Sequence, residues 1–327
     1  MNTKRTLLLS AAICAAASMA NAAAIIDNGT IMLGVDDYGQ LNVSNGDPGP
    51  ENIIGVTDMR TGYEATSPGC LCEGWGVGTA NGSGTAIASG SANNAYGVFN
   101  LTSVSFTSTA SSATSVVEMG TSLRVTHLFA PPPETDDLYR VTVSIENISG
   151  ADIADLRYRR VMDWDVEPDP FHEYVTIGGT AAATAVLFAS DNGFASADPF
   201  AGPSSILATG DFTDTGTADH GALFDFGFGG LLAGTTFSFD IFYGAAPTER
   251  EALSALAAVE AEVYSLGQAS DDANGTTPGR STFIFGFKGV GGEAVPDPVV
   301  PVPASAFLLF GGLGMLGGLR LRGRKAG

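Results

Sequence analysis

Positive charge is scarce in this chain. Of its 327 residues, 15 are Lys or Arg and 35 are Asp or Glu. Six of the 15 cations sit at the ends: Lys4 and Arg5 near the start, then Arg320, Arg322, Arg324 and Lys325. Residues 23–295 therefore hold nine basic and 34 acidic side chains, about −25 in net charge, with Lys288 the only lysine. A surface of that sign repels nucleic acid and anionic lipid, which argues against a nucleic-acid partner. It suits a saline setting or divalent cations.

Soft metal ligands are also few. The chain has three cysteines, Cys14, Cys70 and Cys72, and three histidines, His127, His172 and His220, far apart in sequence. A zinc site at Cys70-Leu-Cys72 would need two more soft ligands that the local sequence does not supply. No nucleophile elbow, Ser/His/Asp spacing or HExxH pattern occurs. Gly76-Val-Gly78 has neither the third glycine nor the following helix of a dinucleotide fingerprint. No fixed-period repeat is present, which weighs against a solenoid or propeller.

What is abundant is glycine, 43 residues, within a chain only 15% charged. That composition favours strands and turns over helices. Ala24 to Val35 reads as strand around an Asn28-Gly29 turn, with Tyr38 to Val43 a second short strand. Residues 44–55 read as a surface loop, and residues 79–95, rich in Gly, Ser and Asn, as a low-complexity segment. Alternation is strongest from Tyr96 to Asn147, where His127 falls on the apolar side of its strand and is expected in the core. Pro131-Pro132-Pro133 marks a loop between strands. Thr236 to Tyr243 and Thr282 to Lys288 read as further strands. Between them lies the single convincing helix. It opens on the capping box Thr248-Glu-Arg-Glu251, continues through Leu253, Leu256, Ala257, Val259 and Val263, and is expected to stop at Gly267.

The chemically dense stretch is Arg157 to His172. At strand period Asp163, Asp165 and Glu167 share one face, and Asp169 follows. Three readings stay open: a calcium site at Asp163, Asp165, Glu167 and Asp169, salt bridges from Asp163 and Asp165 to Arg157, Arg159 or Arg160, and a glycosidase-type carboxyl pair. Against calcium, the stretch has neither the glycine nor the final glutamate of an EF-hand.

The two ends speak of delivery. Lys4 and Arg5, the apolar segment Thr6 to Ala17 and the Ala20-Asn21-Ala22 site make residues 1–22 a signal peptide. Cys14 leaves with it, so Cys70 and Cys72 are left as a local disulfide, as reduced packing cysteines, or in a metal or redox role. Residues 289–303 read as a Gly/Pro linker. Residues 304–321 form an apolar run containing five glycines, marginal in length for a transmembrane helix, and the basic residues 322–327 should remain cytoplasmic.

The motif Val300-Pro301-Val302-Pro303-Ala304, the apolar run and the basic stop Arg320, Arg322, Arg324 and Lys325 together resemble a PEP-CTERM-type sorting signal, its VPLPA-CTERM variant, with Val302 in place of Leu. The resemblance covers about a tenth of the chain. It implies Gram-negative export, a transient inner-membrane stage and an exosortase-type processing enzyme as partner. Delivery to the envelope, the surface or the medium follows, often alongside exopolysaccharide. It leaves the activity of the body undefined.

The expected fold is all-β: a large antiparallel β-sandwich over residues 23–288, one late amphipathic helix, and the C-terminal transmembrane helix. The expected function is that of a structural, adhesive or glycan-contacting envelope or matrix protein. The alternative is a secreted carbohydrate-active enzyme using the 163–169 carboxylates.

Overall fold

The computed structural model describes residues 22–46, 52–81 and 86–298. Residues 1–21 of the expected signal peptide, the motif Val300–Ala304, the expected membrane segment 304–321 and the basic end with Arg320, Arg322, Arg324 and Lys325 lie outside the described residues. Among the described residues no helix is long and apolar enough to cross a membrane.

Period-two alternation builds most of the molecule. Ala113–Met119, Leu123–Ala130 and Leu138–Asn147 each bury every second side chain, among them Val117, Val125, Phe129, Val141, Val143 and Ile145. A tight loop joins the first two: Met119 faces Leu123, and Gly120 takes a φ of +55° that a side chain would disfavour. These strands belong to a nine-stranded sheet. Its spatial order is Thr102–Ser108, Ala113–Met119, Leu123–Ala130, Leu138–Asn147, Thr236–Ala246, Thr282–Lys288, Val263–Gln268, Glu173–Gly178 and Phe212–Ala218. A six-stranded sheet runs Val186–Ser190, Gly221–Leu231, Ile153–Asp163, Glu73–Asn81, Ala86–Asn93 and Gly97–Phe99. Ala23–Asp27, Ile31–Asp36, Val56–Asp58 and Tyr63–Glu64 make a smaller sheet, and Val43–Ser44 pairs with Ile53–Ile54. Every pairing is antiparallel.

The two large sheets share one core in a sandwich-like arrangement. Phe224 and Phe226 of the smaller of the two meet Phe287 of the larger at ring separations of 4.9 and 4.8 Å. Tyr158 meets Phe239 at 5.1 Å, and Trp75 meets His127 at 4.5 Å. Ile26, Ile31, Leu33 and Val56 of the four-stranded sheet join the same core. The strand His127 occupies buries it fully, as the alternation predicts.

The helix Glu249–Ala258 lies on the opposite face of the nine-stranded sheet, where Ala252, Ala255 and Leu256 pack with Leu138, Phe242 and Ile284. Thr248 caps it as expected, but it does not run to Gly267. Glu260 enters the left-handed region at φ +56°, while Ala261 N–H reaches Leu256 O and Glu260 N–H reaches Ala257 O. That is a Schellman-type stop made without glycine. Val263 and Gly267 accordingly belong to the next strand.

Three other segments differ from expectation. Residues 79–81 and 86–93 are not a low-complexity loop; they pair as the hairpin of Glu73–Asn81 with Ala86–Asn93. Small side chains let that hairpin lie under other chain segments, since a Cβ at Gly76 would collide with Ala197 O and one at Gly90 would lie 2.8 Å from Leu101. Tyr38 to Leu41 forms a turn instead of a strand, because the Asp36 carboxylate accepts from the N–H groups of Tyr38 and Gln40. The start of the linker also stays on the body. The Glu262 carboxylate accepts from the N–H groups of Gly289, Val290 and Gly292, and Val295 N–H donates to Ala261 O at 2.7 Å.

Candidate metal centre

The strand Ile153–Asp163 lies inside the six-stranded sheet, between Gly221–Leu231 and Glu73–Asn81. Its outer face is covered as well, by Ala195, Ala197 and Phe188 packed on Val161 and Leu223. Arg159 and Arg160, on opposite faces, are therefore both buried. Each reaches sideways to a neighbouring strand. Arg159 makes a two-pronged bond to Asp225, and Arg160 donates to Glu73 at 2.6 Å. Arg157 bonds Asp155 at 2.9 Å. The expected salt bridges from these arginines to Asp163 and Asp165 are not formed. At ~3.3 Å per residue, Asp163 lies about 13 Å along the strand from Arg159, beyond its reach.

Beyond the arginines the backbone stays extended. Asp163 N–H donates to Cys72 O, Trp164 N–H to His220 O and Asp165 N–H to Ala65 O. These bonds hold Asp163 and Asp165 on one side, where Asp219 joins them from the turn between Phe212–Ala218 and Gly221–Leu231. One carboxylate oxygen from each lies within 4.8 Å of the other two. Asp163 and Asp165 are 1% and 0% exposed, while Asp219 is exposed and forms the mouth.

The buried oxygens have no donors. Both oxygens of Asp165 and Oδ1 of Asp163 are unpartnered. Cys70 Sγ lies 3.4 Å from Asp163 Oδ2, but this sulfur is in a disulfide and carries no hydrogen. All four oxygens are thus bare, where nearly all buried polar atoms have partners. Burial, then the Asp219 charge, pushes the Asp163 carboxyl up to about 8. Burial, then Asp163, Glu173 and further carboxylates, pushes Asp165 up to about 9. Glu173, buried behind them, rises to about 8 by desolvation even though Oε1 accepts from Val166 and Phe171 N–H. Two full charges on Asp163 and Asp165 within 4.8 Å would repel by about 3 kcal/mol or more at an effective dielectric near 20. The pocket can therefore hold protons or a hard cation, but it disfavours bare charge.

Glu167 and Asp169 do not join this group. Glu167 Oε2 accepts from Glu64 N–H at 3.0 Å, and Asp169 contacts Ser270 Oγ and His172 Nδ1. The chain turns at Pro168 and Pro170 and carries both outward. Glu64 and Glu167 line a cavity of about 650 Å³ with Met32, Ile54 and Met59. Glu64 is committed there to structure: its oxygens accept from Val56 N–H, Thr57 Oγ1 and Thr66 N–H.

Cys70 and Cys72 are joined by a disulfide with Cα atoms 5.2 Å apart. Their sulfurs lie beside Asp163, yet as a disulfide they supply no thiolate to a soft metal. His220 is also occupied. Nδ1 faces Asp191 Oδ2 at 3.0 Å and Nε2 faces Glu173 O at 3.2 Å. Burial alone would raise the Asp191 carboxyl, but His220 and the N–H groups of Ile206, Leu207 and Ala208 hold it below the ordinary range.

Sequence reasoning placed Asp163 and Asp165 together and missed Asp219 and Glu173. Asp219 follows Asp165 by more than fifty residues, in an ordinary Asp-His-Gly turn with no ligand spacing around it. Glu173 opens the strand Glu173–Gly178 and carries no local motif that ties it to Asp163 or Asp165. Compared with family models and with curated proteins, the chain matches none.

Proposed function

We propose that this chain is an exported structural or adhesive protein of the cell envelope or extracellular matrix, with a β-sandwich body delivered by an exosortase-type system. The observation that carries the reading is the ordered C-terminal series: Val300-Pro301-Val302-Pro303-Ala304, the apolar run, and Arg320, Arg322, Arg324 and Lys325. The apolar run holds the chain in the inner membrane before processing, and the acidic body faces away from the cytoplasm. Exopolysaccharide is the partner expected at the destination.

The body supports this reading in two ways. A Cys70–Cys72 disulfide belongs to an oxidising compartment. The features a glycosidase would need do not share a cleft: Trp75 and Trp164 are fully buried, Asp163 and Asp165 are buried with Asp219, and Glu167 and Asp169 are engaged by Glu64 N–H and Ser270. A sugar-cleaving pair must face a shared cleft at about 5–9.5 Å. The test is to replace Pro301 and Pro303 together with Ala and fractionate the cells. The variant should cross the inner membrane and remain in it; release at the wild-type level contradicts processing at the motif.

A further inference from the structure

We infer that Asp163, Asp165 and Asp219 bind one divalent cation of the calcium class, which fastens the two large sheets together at one end of the sandwich. The inference is independent of how the protein is delivered. It rests first on the four donor-free oxygens of Asp163 and Asp165, in residues no more than 1% exposed. Glu64, Glu73 and Asp191 have both oxygens partnered, and Asp37, Glu173 and Asp272 each leave one buried oxygen without a donor; Asp165 has none on either, which leaves these four for a partner that is not a protein donor.

The chain packs closely around the cluster. A Cβ at Gly193 would lie 2.5 Å from Asp163 Cα and 2.7 Å from its Oδ1, and one at Gly69 would meet the Phe171 ring at 2.3 Å and Asp165 Oδ1 at 3.1 Å. Any larger residue at either position would press on these carboxylates. Asp219 is exposed, so the cluster meets solvent on that side.

The donor set selects the ion. Only carboxylate oxygen is offered, since the sulfurs are tied in a disulfide and both His220 nitrogens are engaged. That favours a hard cation over zinc or copper. Ligand oxygens within 4.8 Å of one another fit a calcium ion with bonds of ~2.4 Å, whose opposite ligands are about 4.8 Å apart. Water completes the shell. This set replaces Glu167 and Asp169 of the sequence-based expectation with Asp219.

The position gives the ion its role. Asp219 lies on the connection from the edge strand of the nine-stranded sheet, Phe212–Ala218, into the six-stranded sheet at Gly221. Asp163 ends the strand beside Gly221. An ion bound to both would pin that crossover.

The test is calorimetric titration of the purified, metal-stripped full chain with calcium chloride, magnesium chloride in parallel, and thermal unfolding with and without each ion. One calcium should bind per chain with measurable heat. At a hundredfold excess over Kd it should raise Tm by roughly 5 °C. Asp165→Asn should abolish both signals, Asp219→Asn should weaken binding at least roughly tenfold, and Asp169→Asn should change neither. If Asp165→Asn does not fold, the exposed Asp219→Asn decides. No heat and no thermal shift in the wild type would overturn the proposal. So would wild-type binding by Asp219→Asn or tighter binding of magnesium.

Discussion

Arg160 donates through Nε to Glu73 Oε1 at 2.6 Å, and neither residue is exposed at all. The pair ties two adjacent strands at the centre of the six-stranded sheet. Leu41 N–H and Tyr243 Oη also donate to Glu73, and Arg160 reaches Gly39 O. Burial alone would lower the Arg160 pKa, but the Glu73 carboxylate outweighs it and keeps the guanidinium charged. Removing one partner leaves a buried charge uncompensated. Glu73→Gln should therefore cost about 3–5 kcal/mol in urea unfolding, whereas Glu73→Leu with Arg160→Met should recover most of that loss. Equal losses in the single and double variants would contradict the pair's coupling.

His127 gives the fold an acid sensitivity. It sits 4.5 Å from Trp75 with Nε2 3.2 Å from Tyr158 Oη, and burial, with Arg160 second, holds its pKa well below the ordinary value. The ring is neutral in the fold and protonates in the unfolded chain below pH ~6.5. Its contribution is thus complete above that pH and is lost as pH falls, by up to about 1.4 kcal/mol per pH unit. Asp163, Asp165 and Glu173, whose carboxyls are raised, pull the other way and favour the fold as pH falls, so acidification from pH 7.5 to 5 should move the urea midpoint of His127→Phe upward relative to its change in the wild type. Parallel slopes would show that His127 does not titrate in this way.

The helix cap offers a local check. Thr248 Oγ1 accepts from Glu251 N–H at 3.2 Å, as the capping box predicts. Thr248→Ala should lower stability by about 1 kcal/mol, and Thr248→Ser should stay near wild type.

Thiol accessibility reports on the 70–72 loop. Unreduced exported protein should take up no maleimide and should take up two after reduction. Because the bridge closes so short a loop, Cys70→Ser with Cys72→Ser should cost only on the order of 1–2 kcal/mol.

The parts legible in the sequence are those that obey local rules. Strand alternation around Val125, Val143 and Phe285, the Thr248 cap and the core position of His127 all follow from period and turn chemistry. Residues 79–81 and 86–93 resemble a linker because they are rich in Gly, Ser and Ala, while the approach of Leu101 to Gly90 is what demands a small residue there. The helix stop was misplaced because Glu260 adopts a conformation usually left to glycine. The carboxylate cluster was half visible. Asp163 and Asp165 share a face by periodicity, but Asp219 arrives through a crossover between sheets, and no local pattern encodes that meeting. The arginines were assigned to the wrong carboxylates because cross-strand partners, Glu73 and Asp225, are set by strand order.

Delivery through the tail is tested most directly by the intact mass of the protein recovered from the cell surface and medium. Processing at Val300–Ala304 predicts a chain that begins near Ala23 and has lost the apolar run and the residues after it. Recovery from outside the cell with Gly327 still attached would contradict it.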